Sequence, residues 1–383
     1  MKPSAAASAG ASMETVGAVQ SRFSTSADEP AINLDQLVSL PDFEGAAVRR
    51  ISHMVWEYYS GVADEITLRW NREAYDRLRL RPRVLVDVSK IDTRITLFGQ
   101  EHAHPILLAP AADHRMVHAE GEIATARGAG RTKTIFVLSS FTNTCLEDVA
   151  RHASSPLWFQ LYVQRDREFT RDVVQRAAAA GCQALCVTVD TPTFGARNRQ
   201  ARAKYELAPG LRRPHLPPPN TSNTPGSQVF PDWTEPALTW RDIGWLSSLV
   251  NIPVLLKGVL NPEDAERAVQ EGVAGIMVSN HGARNLDTVP ATVEALPPIV
   301  EKVAGRIPVL VDGGIRRGTD VVKALALGAN AVLIARPYLY GLAVAGDEGV
   351  RRVVEILRNE LEMAMGLLGQ PTIQSIDRSV LWD

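Results

Sequence analysis

The chain has 383 residues, of which 45% are hydrophobic and 22% charged, and its formal net charge is −2. These values are typical of a soluble globular protein. Because the sequence has no basic stripe and no apolar run near the roughly 18 residues of a membrane span, we predict neither a nucleic-acid nor a membrane partner.

Three cysteines, Cys145, Cys182 and Cys186, lack the spacing of a zinc site. We therefore predict no metal site, and we interpret them as thiols in a reducing compartment, which favours a cytoplasmic location. The first part of the chain, residues 1–30, is rich in Ala and Ser and is predicted to be a disordered tail without an apolar signal-peptide segment. Residues 31–383 are predicted to form a single domain.

Helical spacing dominates the sequence from Ile32 to Arg79. Apolar residues three and four apart predict helices over Ala46–Tyr58 and Glu65–Leu78. Asn33-Leu34 and Asp35 are typical of a helix start, and we expect Pro41 to interrupt that helix and Gly61 to separate the two later ones.

From residue 106 onwards, short apolar runs alternate with helical stretches. The runs read as buried parallel strands and number eight: Ile106–Ala109, Ile135–Ser139, Leu157–Tyr162, Ala184–Asp190, Pro253–Lys257, Gly275–Ser279, Pro308–Asp312 and Ala331–Ala335. The clearest predicted helices are Glu120–Gly128, Phe169–Ala180, Pro262–Gln270, Ala291–Val303, Thr319–Leu327 and Gly349–Leu368. This alternation predicts an α/β fold, a (β/α)8 TIM barrel preceded by an N-terminal helical segment.

One connection is much longer than the others. About fifty residues separate Asp190 from Trp240, and they include the proline-rich stretch Pro214–Pro236. Because this connection follows barrel strand four, on the face where barrels carry their active sites, we predict a lid loop over the substrate.

Polar side chains stand where most of the predicted strands end. His281 and Arg284 follow the sixth strand, Lys257 ends the fifth, and Asp190 ends the fourth. A histidine supplies a base near neutral pH, and an arginine supplies a fork that fits a carboxylate, so the pattern indicates an enzyme acting on small acids. The strands also bring Ser139, Gln160, Tyr162, Thr188, Ser279 and Asp312 to the same rim.

A phosphate site is predicted after the last two strands. Gly313, Gly314 and Arg316 follow strand seven, and Ala335 and Arg336 follow strand eight. Glycines allow backbone N–H groups to approach an anion, and barrels often bind phosphate in these two loops.

With these segments in place, the chain resembles the FMN-dependent α-hydroxy-acid oxidase and dehydrogenase family, which includes glycolate oxidase and lactate oxidase. The resemblance runs from about residue 50 to near the C-terminus. The segments that carry it include Arg81-Pro82-Arg83, Ala109-Pro110, Trp158–Tyr162, Thr188–Pro192, Leu256-Lys257-Gly258, Ser279–Asp287 and Asp312-Gly313-Gly314.

The resemblance implies a role for each residue. His281 would be the active-site base, held by Asp190, with Tyr162 facing the substrate hydroxyl. Arg197 and Arg284 would bind the substrate carboxylate together with Tyr58, or alternatively with Tyr59, because the segment before Ser60-Gly61 is one residue shorter than usual. Lys257 would lie beside the flavin ring, and the remaining implied FMN contacts are Pro110, Ala111, Ala112, Ser139, Gln160, Thr188, Ser279, Asp312, Gly313, Gly314, Arg316, Ala335 and Arg336.

The family usually has Gly-Arg-Pro where this chain has Ala335-Arg336-Pro337. If the backbone there has a positive φ, alanine would cost about 1 kcal/mol and weaken FMN binding. Phe141 replaces a tryptophan common in glycolate oxidases, so we expect Phe141, Phe194 and the long loop to set the size of the substrate pocket.

The implied reaction is oxidation of an L-2-hydroxy acid to a 2-oxo acid, with FMN as cofactor and O2 reduced to H2O2. The base would take a proton from Cα in a carbanion scheme or from the hydroxyl in a hydride scheme. Two alternatives stay open: a dehydrogenase of the same family with a quinone or protein acceptor, and an FMN-less relative without catalytic activity. The resemblance also implies a homo-oligomer, a tetramer or octamer.

Overall fold

The computed structural model describes residues 32–217 and 235–382 of the chain. The predicted tail over residues 1–30, and the part of the predicted lid loop over residues 218–234, lie outside these described residues.

A closed barrel of eight parallel strands forms the centre of the structure. Two short strands, β1 (Ile95–Leu97) and β2 (Gln100–His102), form an antiparallel hairpin before it. The barrel strands are β3 (Ile106–Leu108), β4 (Phe136–Ser139), β5 (Leu157–Leu161), β6 (Leu185–Thr188), β7 (Val254–Val259), β8 (Gly275–Val278), β9 (Val309–Asp312) and β10 (Ala331–Ile334). The barrel closes where β10 pairs with β3, with Leu333 opposite Leu107. The predicted TIM barrel is confirmed.

Helices surround the barrel and connect its strands. They are α4 (Gly121–Arg131), α5 (Leu146–His152), α6 (Arg167–Ala179), α7 (Asn198–Arg202), α8 (Trp240–Leu249), α9 (Pro262–Gln270), α10 (Thr292–Val303), α11 (Gly318–Ala326) and α12 (Arg336–Leu368). The last of these helices contains a kink at Ala345 and Gly346, so the predicted helix Gly349–Leu368 is its second part. Among the described residues, no helix is both long and apolar enough to cross a membrane.

The N-terminal segment differs from the prediction in one respect. It contains α1 (Leu40–Arg50), α2 (His53–Ser60) and α3 (Ile66–Arg77), so the predicted helix Ala46–Tyr58 is divided at Ile51 and Ser52. The helix predicted to start at Asn33–Asp35 is a short 3-10 helix, Leu34–Gln36, that ends before Pro41. Pro41 itself lies in the first turn of α1, where its missing N–H has no intrahelical partner to lose, so it begins a helix and does not interrupt one. The break at Ile51 turns α2 so that Val55 and Tyr58 are buried.

The barrel strands are apolar because both of their faces are covered. Every residue of β3, β4, β5, β6, β8, β9 and β10 is buried. Cys182 and Cys186 belong to this core, and burial raises the pKa of the Cys182 thiol to about 12. Such thiols act as small apolar groups in packing. The barrel is thus a packed support, and chemistry is confined to its rim.

Candidate active site

The predicted site residues come together in one cavity at the C-terminal rim of the barrel. Of the predicted residues, all but Asp190 and Ser279 line this cavity, and those two lie directly behind His281 and Lys257. The lining residues among them are Tyr58, Pro110, Ala111, Ala112, Ser139, Gln160, Tyr162, Thr188, Arg197, Lys257, His281, Arg284, Asp312, Gly313, Gly314, Arg316, Ala335 and Arg336.

His281 is the titratable group at the centre of this cavity. Its Nδ1 atom lies 3.1 Å from Oδ1 of Asp190, and its Nε2 atom lies 3.2 Å from the Tyr162 hydroxyl. Desolvation lowers the pKa of His281, and the nearby Asp190 carboxylate opposes this effect only in part. The ring is therefore neutral near pH 7, with Nδ1 bearing the proton donated to Asp190 and Nε2 free to accept a proton.

Asp190 is held in place by several neighbours. Desolvation acts to raise the Asp190 pKa, but His281 and Lys257 outweigh it, so the pKa is lowered and the group stays ionised. Thr191 donates its hydroxyl to Asp190 Oδ1 at 3.1 Å, and the Asn285 side chain donates to the Asp190 backbone oxygen at 2.7 Å. A Cβ atom on Gly258 would lie 2.4 Å from Asp190 Cγ, so the residue after Lys257 must be glycine. The carboxylate therefore has little freedom to leave the imidazole.

The loop that carries His281 has an unusual backbone. His281 and Ala283 have φ of 58° and 66°, in the left-handed region that costs most side chains about 1 kcal/mol or more. The Asn280 amide stabilises the loop by exchanging hydrogen bonds of 2.8 and 3.0 Å with the Asn71 amide of α3. Asp287 accepts a hydrogen bond from the Thr67 backbone N–H at 2.8 Å. Both residues thus fasten the catalytic loop to the N-terminal helices.

Lys257 is part of a buried polar chain. Its Nζ atom donates to the Ser279 hydroxyl at 2.9 Å and lies 3.3 Å from Oδ2 of Asp312, while the Ser279 hydroxyl donates to that same oxygen at 2.9 Å. Burial acts to lower the Lys257 pKa, but the nearby carboxylates of Asp312 and Asp190 outweigh this effect. The pKa is therefore raised, and the ammonium group stays charged. The floor of the cavity therefore presents a charged ammonium group that is held in place by Ser279 and Asp312.

Three neighbouring strands present a second polar chain. The sheet register places Ser139 beside Gln160, and the Ser139 hydroxyl donates to Gln160 Oε1 at 3.0 Å. The Gln160 amide then donates to the Thr188 hydroxyl at 2.8 Å. All three side chains line the cavity, so they present oriented donors and acceptors to a polar ring system.

An anion site is formed by Arg197, Arg284 and Tyr58. The Arg284 guanidinium lies 5.0 Å from the Tyr58 ring centroid and donates to the backbone oxygen of Gly61 at 3.3 Å. Burial, then the charge of Arg284, lower the pKa of Arg197 to about 10, and its Nε atom is buried without a hydrogen-bond partner among the described residues. In the described part of the chain neither arginine pairs with a carboxylate. Two neighbouring cations without a counter-ion predict that an anion binds between them.

The two candidate tyrosines are distinguished by their hydroxyl groups. The Tyr59 hydroxyl donates to the backbone oxygens of Ala112 and Asp113, both at 2.7 Å. The Tyr58 hydroxyl has no such partner among the described residues, and its ring lies beneath Arg284. The geometry therefore favours Tyr58 as the residue that faces an anion.

A second anion site lies at the other end of the cavity. Arg316 and Arg336 both line this end, and burial lowers the pKa of Arg336 to about 10. The Arg316 Nε atom is buried without a hydrogen-bond partner in the part of the chain that the structure describes. Gly313 and Gly314 have φ of 94° and 82°, and a Cβ on Gly314 would lie 2.0 Å from the Asn71 backbone oxygen. Glycine is therefore required at Gly314, where the backbone must pass so close to α3.

The backbone at Ala335 does not have the positive φ that was considered for this position. Its φ is −118°, so no positive φ has to be accommodated by an alanine at this position. The backbone strain considered for this position is therefore absent, and with it the reason for expecting weaker FMN binding.

One contact near the site had no signal in the sequence. Arg199 of α7 forms two hydrogen bonds with the carboxylate of Glu57, at 2.5 and 2.7 Å, and a third at 2.8 Å with Glu65. Glu57 precedes Tyr58 on α2, and Arg197 precedes α7. The pair therefore connects the two elements that carry two of the anion-binding side chains. Its partners are 142 residues apart, so local spacing could not indicate it.

Comparison with known proteins identifies the family. The model of the FMN-dependent dehydrogenases matches residues 47–383. The chain belongs to this family. Its relatives include an L-lactate oxidase of a Nostoc species, 48% identical over 90% of this chain and 98% of that protein, and a 2-hydroxyacid oxidase of Dictyostelium discoideum, 45% identical over 91% of each. A solved structure of mandelate oxidase with (S)-4-hydroxymandelic acid superimposes with a TM-score of 0.84 at 39% identity, covering 90% of this chain and 98% of that one.

The cavity of this member of the family fits FMN. Asp312 Oδ1 and Arg316 Nε are buried polar atoms without partners in the described residues, as expected where a ligand completes the hydrogen bonds. Gly313, Gly314, Arg316 and Arg336 would hold the phosphate. The residues that would hold the flavin ring are Pro110, Ala111, Ala112, Ser139, Gln160, Thr188 and Lys257. The protein is thus an FMN enzyme of the 2-hydroxy-acid oxidising type.

Proposed function

We propose that the protein oxidises an L-2-hydroxy acid to the 2-oxo acid and that O2 is the final electron acceptor, giving H2O2. The observation that carries the proposal is the position of His281. Its free Nε2 atom faces the cavity that is also lined by Arg197 and Arg284, two arginines without a carboxylate partner in the described residues. A base beside two arginines that can bind a carboxylate is what a hydroxy-acid substrate requires.

Substrate binding rests on the cationic end of the cavity. Arg197 and Arg284 hold the substrate carboxylate, assisted by the Tyr58 hydroxyl. Hydrogen bonds to charged groups contribute about 1.5–3 kcal/mol each, so this pair is sufficient to fix the orientation of a small acid. With the carboxylate fixed, the C2 hydroxyl group is directed towards His281 and Tyr162, whose polar atoms lie 3.2 Å apart.

Proton removal falls to His281. Nε2 accepts the proton that the substrate loses, and Asp190 stabilises the imidazolium that results. Desolvation raises the pKa of Tyr162, so its hydroxyl stays protonated and donates a hydrogen bond to the substrate oxygen. FMN would supply the acceptor for the two electrons that leave the substrate. The Lys257 ammonium would lie beside the flavin ring and favour negative charge there.

The final acceptor is supported by the names of the relatives. The Nostoc and Dictyostelium proteins are both called oxidases, whereas the family description says dehydrogenase. The experiment is to mix the yellow holoenzyme with L-lactate, glycolate and (S)-mandelate without air, to record flavin bleaching, and then to admit air and measure H2O2. Bleaching followed by stoichiometric peroxide supports the proposal. Bleaching without peroxide, with rapid reduction of a quinone dye, would assign a dehydrogenase instead.

We also propose that the protein is a homo-oligomer. Val84, Leu85 and Leu367 are large apolar side chains exposed by 83, 102 and 73%. They lie in one region, because the backbone N–H of Arg83 donates to the Leu368 oxygen at the end of α12. Exposed apolar patches often mark subunit interfaces. Light scattering on the eluting holoenzyme distinguishes a tetramer or octamer from the monomer that would contradict the proposal.

A further inference from the structure

A second cavity of about 490 Å³ adjoins the proposed substrate site. Four side chains line both cavities: Tyr58, Phe141, Phe194 and Arg197. Tyr205 and Arg213 line only the second. A volume of this size exceeds the roughly 150 Å³ that accommodates a benzene ring. The four shared side chains therefore decide whether a bulky group on the hydroxy acid reaches this space.

One buried carboxylate holds the far wall of this second cavity. Asp113 follows the Pro110–Ala112 turn and is fully buried. Its Oδ1 accepts from Arg213 Nε at 2.9 Å and from the Asn143 amide at 3.0 Å, and its Oδ2 accepts from Arg213 Nη2 at 2.5 Å and from the Tyr205 hydroxyl at 3.0 Å. The four donated hydrogen bonds use the full acceptor capacity of the carboxylate. They therefore fix the positions of Arg213 and Tyr205 relative to Asp113.

The two side chains held by Asp113 each support a ring of the substrate site. Tyr205 stacks on Tyr58 with 3.9 Å between ring centroids and 10° between planes. The Arg213 guanidinium lies 4.6 Å from the centroid of the Phe141 ring. Displacement of Asp113 would thus release the outer faces of both rings at once.

The backbone of Asp113 reinforces this link. Its N–H donates to the Phe141 backbone oxygen at 3.0 Å, and its own backbone oxygen accepts the Tyr59 hydroxyl at 2.7 Å. Asp113 is therefore bonded to α2, to the segment that follows β4 and to the segment of residues 203–217, all of which contribute side chains to the walls of the two cavities.

We propose that Asp113 is a specificity-determining positioning residue, which holds Tyr205 and Arg213 so that Tyr58 and Phe141 limit the side chain of the 2-hydroxy acid. The inference rests on the proposed function, because it concerns the substrate of that same site. Asp113 acts through its partners and does not itself touch the substrate. Loosening it should favour bulky acids over small ones.

The test compares kcat/KM for (S)-mandelate with kcat/KM for L-lactate in the holoenzyme. In Asp113→Asn, the mandelate-to-lactate ratio should rise about tenfold, since side-chain fit in an apolar pocket discriminates by about 10- to 200-fold. Arg213→Met should raise the ratio similarly. In the double variant the mandelate-to-lactate ratio should rise no more than in either single variant, because both substitutions remove the same ion pair. Tyr205→Phe keeps the ring stack and should move the ratio less.

Arg212→Met is the matched control, since Arg212 is the exposed neighbour of Arg213, and its ratio should equal that of the unmodified protein. If both acids lose kcat/KM in equal proportion in every Asp113 and Arg213 variant that retains FMN, the residue is only structural and the proposal is overturned. Should Asp113→Asn fail to fold, Arg213→Met decides alone. Failure of the proposed function looks different, because the unmodified holoenzyme would then bleach with neither acid.

Discussion

His281 follows β8 and Asp190 follows β6, yet their side chains meet at 3.1 Å across the end of β7. The residue between them on that strand is Gly258, whose missing side chain leaves room for the carboxylate. Three neighbouring strands therefore position the pair. Substitutions in it should lower the reaction rate without releasing FMN.

Replacing the base should abolish turnover and leave the cofactor bound. In His281→Ala, we expect the rate of anaerobic flavin bleaching to fall by about 10²- to 10⁴-fold, the usual contribution of general base catalysis. The visible spectrum of the purified protein should still show FMN. His152→Ala is the control, because His152 is exposed and lies away from the cavity. Undiminished bleaching in His281→Ala would remove this residue from the mechanism.

The pH dependence should report the influence of Asp190 on the base. Desolvation lowers the His281 pKa and Asp190 raises it in part, so kcat/KM should fall as the pH drops through the resulting pKa and the imidazole becomes protonated. In Asp190→Asn the raising influence is lost, so the acidic limb should move to lower pH while the maximum rate falls. A limb that stays in place would show that another group controls it.

Conservative changes at the carboxylate site should mainly weaken substrate binding. Lysine keeps the charge of arginine but loses its two-pronged geometry, so Arg284→Lys and Arg197→Lys should each raise KM by about 10-fold or more. Arg202→Lys, an exposed arginine at the end of α7, is the control. Equal KM values for all three variants would argue against the assignment of the carboxylate site.

The contact between Glu57 and Arg199 should position the anion site from outside. In Glu57→Gln the charge of the pair is lost, and α2 and α7 are held less firmly, so we expect KM to rise several-fold with kcat little changed. Glu57→Asp keeps the charge of the pair and should retain part of the affinity that Glu57→Gln loses. Steady-state kinetics with L-lactate checks this, and a fall in kcat alone would contradict it.

Two glycine substitutions should have opposite effects on the protein. In Gly258→Ala the new methyl group would lie 2.4 Å from Asp190 Cγ, at a φ of 108°, so activity should be lost and the melting temperature lowered. Gly244→Ala adds a methyl group in open space within α8, where alanine is favoured over glycine by about 0.5–1 kcal/mol, so it should leave activity unchanged. Thermal unfolding should give a lower melting temperature for Gly258→Ala than for Gly244→Ala, and turnover should be lost only in Gly258→Ala.

The sequence predicted the barrel well because its strands are buried on both faces and read as continuous apolar runs, as β8 and β9 do. It predicted the polar residues of the rim because each follows such a run. The β1–β2 hairpin was not predicted, since strands of three residues carry little periodicity. Asp113 and Arg213 were also not predicted: they are 100 residues apart, and only the folded chain joins them.

The anion site formed by Arg197 and Arg284 has a consequence for the end of the reaction. A 2-oxo acid keeps the carboxylate of the 2-hydroxy acid from which it is formed, so the two guanidinium groups of the proposed site would bind reactant and product alike. Departure of the 2-oxo acid must break those hydrogen bonds again. Accumulated product should therefore compete with fresh substrate, and its release should restrain turnover at high conversion.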